Sequence, residues 1–238
     1  MRILLLGYGK MGKTIESIAL ERGHTIDFIV DKDDHQLFDR ISGQNVDVAI
    51  EFSQPDAALE NILKCFDRGI PVVSGTTGWL DQFEKVKNSC EEKGGTLFYA
   101  SNYSLGVNIF FKVNQFLAKV MDKFPAYQVS MEEIHHTEKK DAPSGTAITL
   151  AEGIIQENKK IRKWVNRDTD AGEELGIKSK RINEVPGTHT VQYSSAVDDI
   201  EIKHTAHSRQ GFALGAVLVA EWVIDRKGIL GMDDFLNF

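Results

Sequence analysis

The residues best suited to chemistry lie between positions 132 and 147, in the stretch EEIHHTEKKDAPSGTA. Two adjacent histidines, His135 and His136, are followed by a pair of lysines that begins at Lys139 and then by a Pro-Ser-Gly-Thr turn. Imidazole exchanges a proton near neutral pH, and a cationic turn can hold an anion. The stretch is therefore interpreted as an anion pocket that moves a proton, against the alternative of a solvated loop that contains a turn.

The two histidines are expected to act from different sides. If residues 128 to 136 are extended, His135 and His136 point to opposite faces of the strand, and His135 shares its face with Glu133. A turn after the strand would let Lys139 return towards His135. Histidines also bind metals, but no carboxylate or thiolate set completes a site near these two, so we predict no metal. His189 and His204 are interpreted as core or interface residues.

A helix N-terminus follows the turn. Ser144 is suited to be an N-cap, and a helix that starts there leaves the N–H groups of Gly145 and Thr146 free to bind an anion. Strand, cationic turn and helix N-terminus would then converge on one small volume.

A second motif stands at the start of the chain, where residues 7 to 12 read GYGKMG. Gly7 would permit a tight turn, Gly9 would let a pyrophosphate approach the backbone, and Gly12 would let helix and strand pack closely. The motif follows a predicted strand, opens a predicted helix, and has Asp31 at the end of the next strand. We therefore predict a dinucleotide site rather than an ordinary glycine turn, contacted by Gly7, Tyr8, Gly9, Lys10, Met11 and Gly12.

The cofactor preference stays open. Asp31 would accept from the adenosine ribose hydroxyls, which favours NAD, whereas Lys32 could meet the 2'-phosphate of NADP or remain a solvated lysine. We expect the protein to use NADH and NADPH. The turns after two further predicted strands would line the nicotinamide and its ribose, although each alone could equally be a plain loop. Their residues are Gly75, Thr76, Thr77, Ala100, Ser101, Asn102 and Tyr103.

These residues require two kinds of architecture to position them. Strands and helices alternate over the first hundred residues, which predicts an α/β fold with a Rossmann-type doubly wound parallel sheet. After Asn102 strand-like runs cluster together, which predicts a smaller α+β domain with a mixed sheet, while the charged segment from 161 to 178 is interpreted as a loop. We place the dinucleotide-binding domain at 1–103 and 213–238, and the substrate-binding and oligomerisation domain at 104–212.

The composition narrows the class of protein. The chain has 238 residues, of which 42% are hydrophobic and 26% charged, as in globular proteins. It shows no signal peptide, no membrane span and two isolated cysteines, so we expect a cytoplasmic protein that binds no membrane. The net charge of -7 argues against nucleic acid, and it means that an anionic ligand needs a local cluster of cations.

The stretch EEIHHTEKKDAPSGTA closely resembles the signature of the dihydrodipicolinate reductase family of lysine and diaminopimelate synthesis. Supporting motifs occur in the family's order along the chain: GYGKMG, EFSQPDAALENI, GTTGW, ASNYSLGVN and HTAHSRQGFALGAV. The resemblance implies a nicotinamide-dependent reductase in which hydride reaches C4 of a small cyclic imine dicarboxylate, with loss of water from its 4-hydroxy form.

The resemblance also implies roles for particular residues. His135 would be the acid/base group and Lys139 a proton donor, while His136, Gly145 and Thr146 would bind the substrate carboxylates. It further implies a cytoplasmic homotetramer built through the sheet of the second domain. The nucleotide loop is shorter than in many members and has Lys10 where arginine is common, which leaves the choice between NADH and NADPH open. The alternatives are a diaminopimelate or aspartate dehydrogenase and a nicotinamide-sensing protein without catalysis.

Overall fold

The computed structural model describes residues 1–32, 34–208 and 210–237. The chain divides into two compact units, one formed by Met1–Ser104 with Gln210–Phe238 and the other by Leu105–Arg209. In the described part of the chain no helix combines the length and the apolar character that crossing a membrane would take.

The first unit is built on six parallel strands. The strands are β1 Arg2–Leu6, β2 Thr25–Val30, β3 Val48–Glu51, β4 Val72–Ser74, β5 Thr96–Tyr99 and β11 Gly228–Leu230. They lie in the order β11-β5-β4-β3-β1-β2. The helices are α1 Lys10–Glu21, α2 Pro55–Asp67, α3 Phe83–Glu92, α6 Gln210–Val223 and α7 Met232–Leu236, with short 3-10 helices at His35–Arg40 and Leu80–Gln82. The predicted doubly wound sheet is confirmed.

The apolar run of β1 explains why this sheet is covered on both faces. Ile3 and Leu5 pack into one buried cluster with residues of α1 and α6, whereas Leu4 and Leu6 pack into a second cluster with residues of α2 and α3. A strand between two helical layers has no polar face, so its sequence does not alternate. Strand β11 was not predicted, because its three residues are too few to show a pattern.

The second unit contains a five-stranded sheet and two helices. Its elements are α4 Leu105–Met121, β6 Gln128–His135, α5 Gly145–Glu157, β7 Lys163–Val165, β8 Glu174–Arg181, β9 Gly187–Ser194 and β10 Asp199–Ala206. The order is β10-β9-β6-β8-β7, in which β8 runs parallel to β6 and β7, and β9 runs antiparallel to β6 and β10. The predicted mixed sheet is therefore confirmed. Helices α4 and α5 contribute to one buried cluster with this sheet.

The interpretation of residues 161 to 178 as a loop was wrong. This segment contains β7 and the first half of β8, and Leu175 and Ile177 are fully buried. Its charges pair with one another at the sheet edge, where Glu174 binds Lys163 at 3.0 Å. Paired charges are common on edge strands because they discourage further strand pairing, and here they conceal the strand pattern.

Candidate active site

The glycine motif folds into a loop that is closed at both ends and open in the middle. Gly7 has φ +91°, and a Cβ on it would lie 2.3 Å from the carbonyl oxygen of Phe52. A Cβ on Gly12 would lie 2.4 Å from the carbonyl oxygen of Gly7, whereas one on Gly9 would meet nothing within 4 Å. Gly9 is also the N-cap of α1 and provides no side-chain cap. The loop thus presents bare backbone at a helix N-terminus, which fits the pyrophosphate of a dinucleotide.

The residues predicted to line the nicotinamide begin at the carboxyl ends of neighbouring strands. Met11, Gly75, Thr76 and Thr77 surround a concave site of about 230 Å³ together with Phe52, Ser53 and Pro55. In parallel sheets ligands bind at this edge. The structure therefore brings the first glycine motif and the turn after β4 to one cavity.

A buried carboxylate that the sequence analysis missed organises this edge. Glu51 ends β3 with no solvent exposure and accepts hydrogen bonds from the hydroxyls of Ser74 at 2.7 Å and Thr76 at 2.8 Å. The Ser53 N–H donates to the same carboxylate at 3.1 Å. With the Ser53 hydroxyl, four donors from the ends of two neighbouring strands meet on Glu51. This side chain therefore fixes the loops that line the cavity.

The residues at the adenosine end are accessible. Asp31 and Lys32 are exposed after β2, and the backbone N–H of Lys32 donates to the Asp31 carboxylate at 3.0 Å. Lys10 is exposed as well, while the hydroxyl of Tyr8 donates to Glu16. A carboxylate and an ammonium thus stand side by side where the ribose of a dinucleotide would lie.

The turn after β5 contributes less than expected. The side chain of Tyr103 lies in the core with 1% exposure, and its hydroxyl donates to the carbonyl oxygen of Ser74 at 2.8 Å. Burial holds the pKa of this phenol well above its usual value. A side chain so placed supports the core, so a contact of Tyr103 with the cofactor would have to come from its backbone. Ala100 is buried too, which leaves Ser101 and Asn102 as the accessible members of this group.

In the second unit, β6 alternates as its sequence predicts and carries Met131, Glu133 and His135 inward. The antiparallel register sets His189 of β9 directly opposite Glu133. His135 Nε2 lies 3.3 Å from His189 Nε2 and 3.5 Å from Glu133 Oε2, and its Nδ1 lies 3.3 Å from the carbonyl oxygen of Pro186. His135 is thus a held imidazole, with a carboxylate and a carbonyl oxygen on opposite sides of the ring.

The two neighbours of His135 differ in protonation state. Burial raises the pKa of Glu133, but hydrogen bonds from His135 and Ser144 outweigh it and hold that pKa below its usual range. Burial, followed by the repulsion of His135, lowers the pKa of His189 to about 4. Near neutrality Glu133 is therefore an anion and His189 an uncharged ring.

The turn after β6 is fastened by ion pairs. Lys139 Nζ binds both carboxylate oxygens of Asp141 at 2.8 Å, and this bond lowers the pKa of Asp141. Arg181, which the sequence analysis did not single out, binds Glu133 at 3.2 Å and donates to the carbonyl oxygen of Lys139 at 3.3 Å. Within the described residues Lys139 therefore pairs with Asp141, although we expected it to return towards His135.

The N-terminus of α5 meets this turn. Ser144 is the N-cap, as predicted, and accepts from the N–H of Ala147 at 3.2 Å, while its own N–H donates to Glu133 at 3.0 Å. The N–H groups of Gly145 and Thr146 lie in the first turn, where no intrahelical acceptor exists. Gly145 is exposed and Thr146 is partly exposed, as is His136 beyond the strand end. Bare amides and an imidazole thus border the turn that carries Lys139.

Two features of this site could not be found from the sequence. Glu133 and His189 come together through strand register, so local spacing gives no signal for the pair. The argument that no carboxylate completes a metal-ligand set near the histidines was wrong, because Glu133, His135 and His189 place one ligand atom each within 4.8 Å of one another.

Comparisons with known proteins cover the whole chain. The family model described as "Dihydrodipicolinate reductase, N-terminus" matches residues 1–103, and "Dihydrodipicolinate reductase, C-terminus" matches residues 106–236. A 4-hydroxy-tetrahydrodipicolinate reductase of Christiangramia forsetii is 53% identical over 100% of this chain and 98% of that relative. Another, of Archaeoglobus fulgidus, is 39% identical over 84% of this chain and 79% of its own.

A solved structure agrees with the fold. The dipicolinate-bound dihydrodipicolinate reductase from Paenisporosarcina sp. TG-14 superimposes with a TM-score of 0.76, covers 99% of both chains and is 19% identical. At that identity the likeness supports the architecture of the chain.

Proposed function

The chain belongs to the dihydrodipicolinate reductase family, and from this premise we propose which of its residues bind the reactants and move the protons. The protein is an oxidoreductase that uses NADH or NADPH to reduce 4-hydroxy-tetrahydrodipicolinate to tetrahydrodipicolinate in lysine and diaminopimelate biosynthesis. The observation that carries the proposal is the turn from His136 to Ser144, because it joins a held imidazole, an ammonium and an open helix N-terminus.

The first unit is the dinucleotide-binding domain in this proposal. Gly9 and the N-terminus of α1 hold the pyrophosphate, Asp31 and Lys32 meet the adenosine ribose, and the turns after β4 and β5 hold the nicotinamide end. The reduced nicotinamide supplies a hydride when it is bound. The open backbone at Gly9 and the cavity beside Gly75 support these roles.

The second unit is the substrate-binding domain. His136 and the amides of Gly145 and Thr146 hold the two carboxylates of the substrate. A helix N-terminus carries about half a positive charge, and its N–H groups point at the ligand, so a carboxylate is stabilised there. Because the whole chain is anionic, this local positive region is what attracts the dicarboxylate.

His135 and Lys139 deliver the protons. Hydride addition leaves electron density on the ring that must take up a proton, and an imidazole is suited to give one near neutrality. Glu133 Oε2 lies 3.5 Å from Nε2 of His135 and helps to hold the ring in its orientation. The 4-hydroxyl needs a second proton to leave as water, and Lys139 donates it, while the ring proton lost from C3 in that elimination is regained after hydride transfer. The ion pair of Lys139 with Asp141 keeps its ammonium at the turn.

The activity is tested with substrate made in place by the preceding synthase. We expect the purified protein to oxidise NADH and NADPH when that product is present and not without it. Oxidative turnover of diaminopimelate or aspartate with no response to the synthase product would favour an amino-acid dehydrogenase. Tight cofactor binding without turnover would favour a sensing protein.

We also propose that the protein is a cytoplasmic homotetramer that assembles through the sheet of the second unit. Helices α4 and α5 pack with that sheet in one cluster, while Lys178, Glu201 and Lys203 are exposed on strands of the same sheet. Light scattering of the purified protein tests the assembly, since a mass of 26.6 kDa in dilute solution would exclude it. Fractionation of the source cells tests the location.

A further inference from the structure

We propose that Glu133, His135 and His189 form a binding site for a zinc ion, and that zinc bound there inhibits the reductase. Two imidazoles and one carboxylate are a ligand set that zinc takes in proteins. The binding does not depend on the role given to His135, but the inhibition does.

The first argument is the spacing of the ligand atoms. His135 Nε2 and His189 Nε2 are 3.3 Å apart, and Glu133 Oε2 lies 3.5 Å from the first and 3.7 Å from the second. Zinc bonds of about 2.0 to 2.2 Å in a tetrahedron set neighbouring ligand atoms about 3.3 to 3.6 Å apart. The three atoms therefore already stand close to one face of a zinc tetrahedron.

The three ligand atoms also carry the lone pairs that a metal ion needs. A carboxylate oxygen and two imidazole nitrogens each offer a lone pair to a metal ion, and the three atoms lie within 4.8 Å of one another. Hydrogen bonds can join the converging atoms only in pairs, whereas a cation between them satisfies every lone pair.

The surroundings provide a fourth ligand and outer support. Ser144 Oγ lies 3.1 Å from His189 Nε2, at a distance that suits the remaining corner or a water bound there. The carbonyl oxygen of Pro186 faces His135 Nδ1 at 3.3 Å and orients the ring as outer-shell acceptors do at zinc sites. Arg181 binds Glu133 through the other oxygen, Oε1, which leaves Oε2 to the ion. The positive charge of Arg181 opposes a cation, so we expect weaker binding than at structural zinc sites.

The consequence follows from the atom that zinc would occupy. The Nε2 atom of His135 cannot carry a proton and bind zinc at the same time, so a bound ion removes His135 as the acid/base group. Zinc should therefore lower the maximal rate, and a chelator should restore it.

The test adds zinc chloride to protein that has been stripped with a chelator, and then measures metal per chain after gel filtration. We expect one zinc per wild-type chain, and a visible absorption band of tetrahedral cobalt when Co²⁺ replaces zinc. His189→Asn and Glu133→Gln should each weaken zinc binding by about 100-fold or more, since loss of an outer-shell partner alone costs about 10- to 100-fold. His207→Gln is the matched control, because His207 is exposed outside the cluster and its loss should change neither binding nor inhibition.

Thermal unfolding in chelator shows whether each variant folds, and NADH binding shows whether its first unit is intact. Absence of zinc binding by the wild type would overturn the site, and so would equal binding by folded His189→Asn. Zinc that binds through the cluster while the rate stays unchanged would uphold the site and contradict the proton role of His135. Loss of reductase activity in zinc-free wild type would count against the proposed function alone.

Discussion

At the residue scale, the sequence predicts which groups react, but it does not predict which side chains surround them. His135, Lys139 and the amides after Ser144 lie within one short stretch, so local geometry could predict that they act together. Glu133 and His189 meet only because β6 and β9 pair in one particular register. Such a register is set by packing and turns along the whole sheet, which no short motif encodes.

Burial of the His189 ring makes the free energy of unfolding of the chain depend on pH. Its pKa falls from 6.5 to about 4 on folding, so the folded chain binds fewer protons and loses stability as the pH falls through this window. Between about pH 7.5 and about pH 5 this loss amounts to about 2 kcal/mol. Glu133 contributes a loss only below 4.5, so the comparison at pH 5 isolates the histidine.

Urea unfolding in chelator measures this prediction. The free energy of unfolding of wild type should fall by about 2 kcal/mol more than that of His189→Asn over the same pH change. Parallel pH dependence in the two proteins would show that His189 titrates normally in the folded state.

We expect Asp31 to favour binding of NADH and Lys32 to favour binding of NADPH. Asp31→Ala should lower kcat/KM with NADH more than with NADPH, and Lys32→Ala should do the reverse, each by about tenfold, because a hydrogen bond to a charged group contributes about 1.5 kcal/mol. Steady-state kinetics with both cofactors measure this. Equal losses with NADH and NADPH in either variant would remove that residue from the adenosine site.

At the element scale, strand ends and helix starts were the most predictable features. The run RILLL, the glycine turn and the following helix were read correctly because one local pattern specifies all three. The segment from 161 to 178 was misread because its charges mark the edge of a sheet whose existence depends on distant strands. The burial of the Tyr103 side chain was not predicted, because packing rather than local sequence places it in the core.

The glycine loop is proposed to have two functions, close packing at Gly12 and access for the pyrophosphate at Gly9. A matched pair of substitutions can separate them. Gly12→Ala would drive a Cβ into the carbonyl oxygen of Gly7 at 2.4 Å, so we expect a loss of about 1–3 kcal/mol or more in stability. Gly9→Ala meets nothing within 4 Å, so it should fold normally and weaken NADH binding by about tenfold or more.

Thermal unfolding and NADH titration of both variants give the comparison. A normal affinity for NADH in Gly9→Ala would show that the pyrophosphate does not approach the backbone at this position.

At the scale of the whole molecule, the chain forms two compact units with separate cores, and we propose that each binds one of the two reactants. The first presents bare backbone and small side chains at one edge of a parallel sheet, as a dinucleotide requires. The second concentrates cations and free amides at one turn of a chain whose net charge is -7. Length, composition and motif order predict such a division, since the two halves of the chain have different patterns of strands and helices.

The central claim, that His135 and Lys139 supply the protons of the reduction, is tested most directly by single-turnover kinetics. The rate of NADPH oxidation is followed after rapid mixing of excess enzyme with synthase-generated substrate, for wild type, His135→Gln and Lys139→Met. We predict a rate lower by about 10²-fold or more in each variant, with cofactor affinity unchanged. Rates close to wild type in both variants would contradict the account.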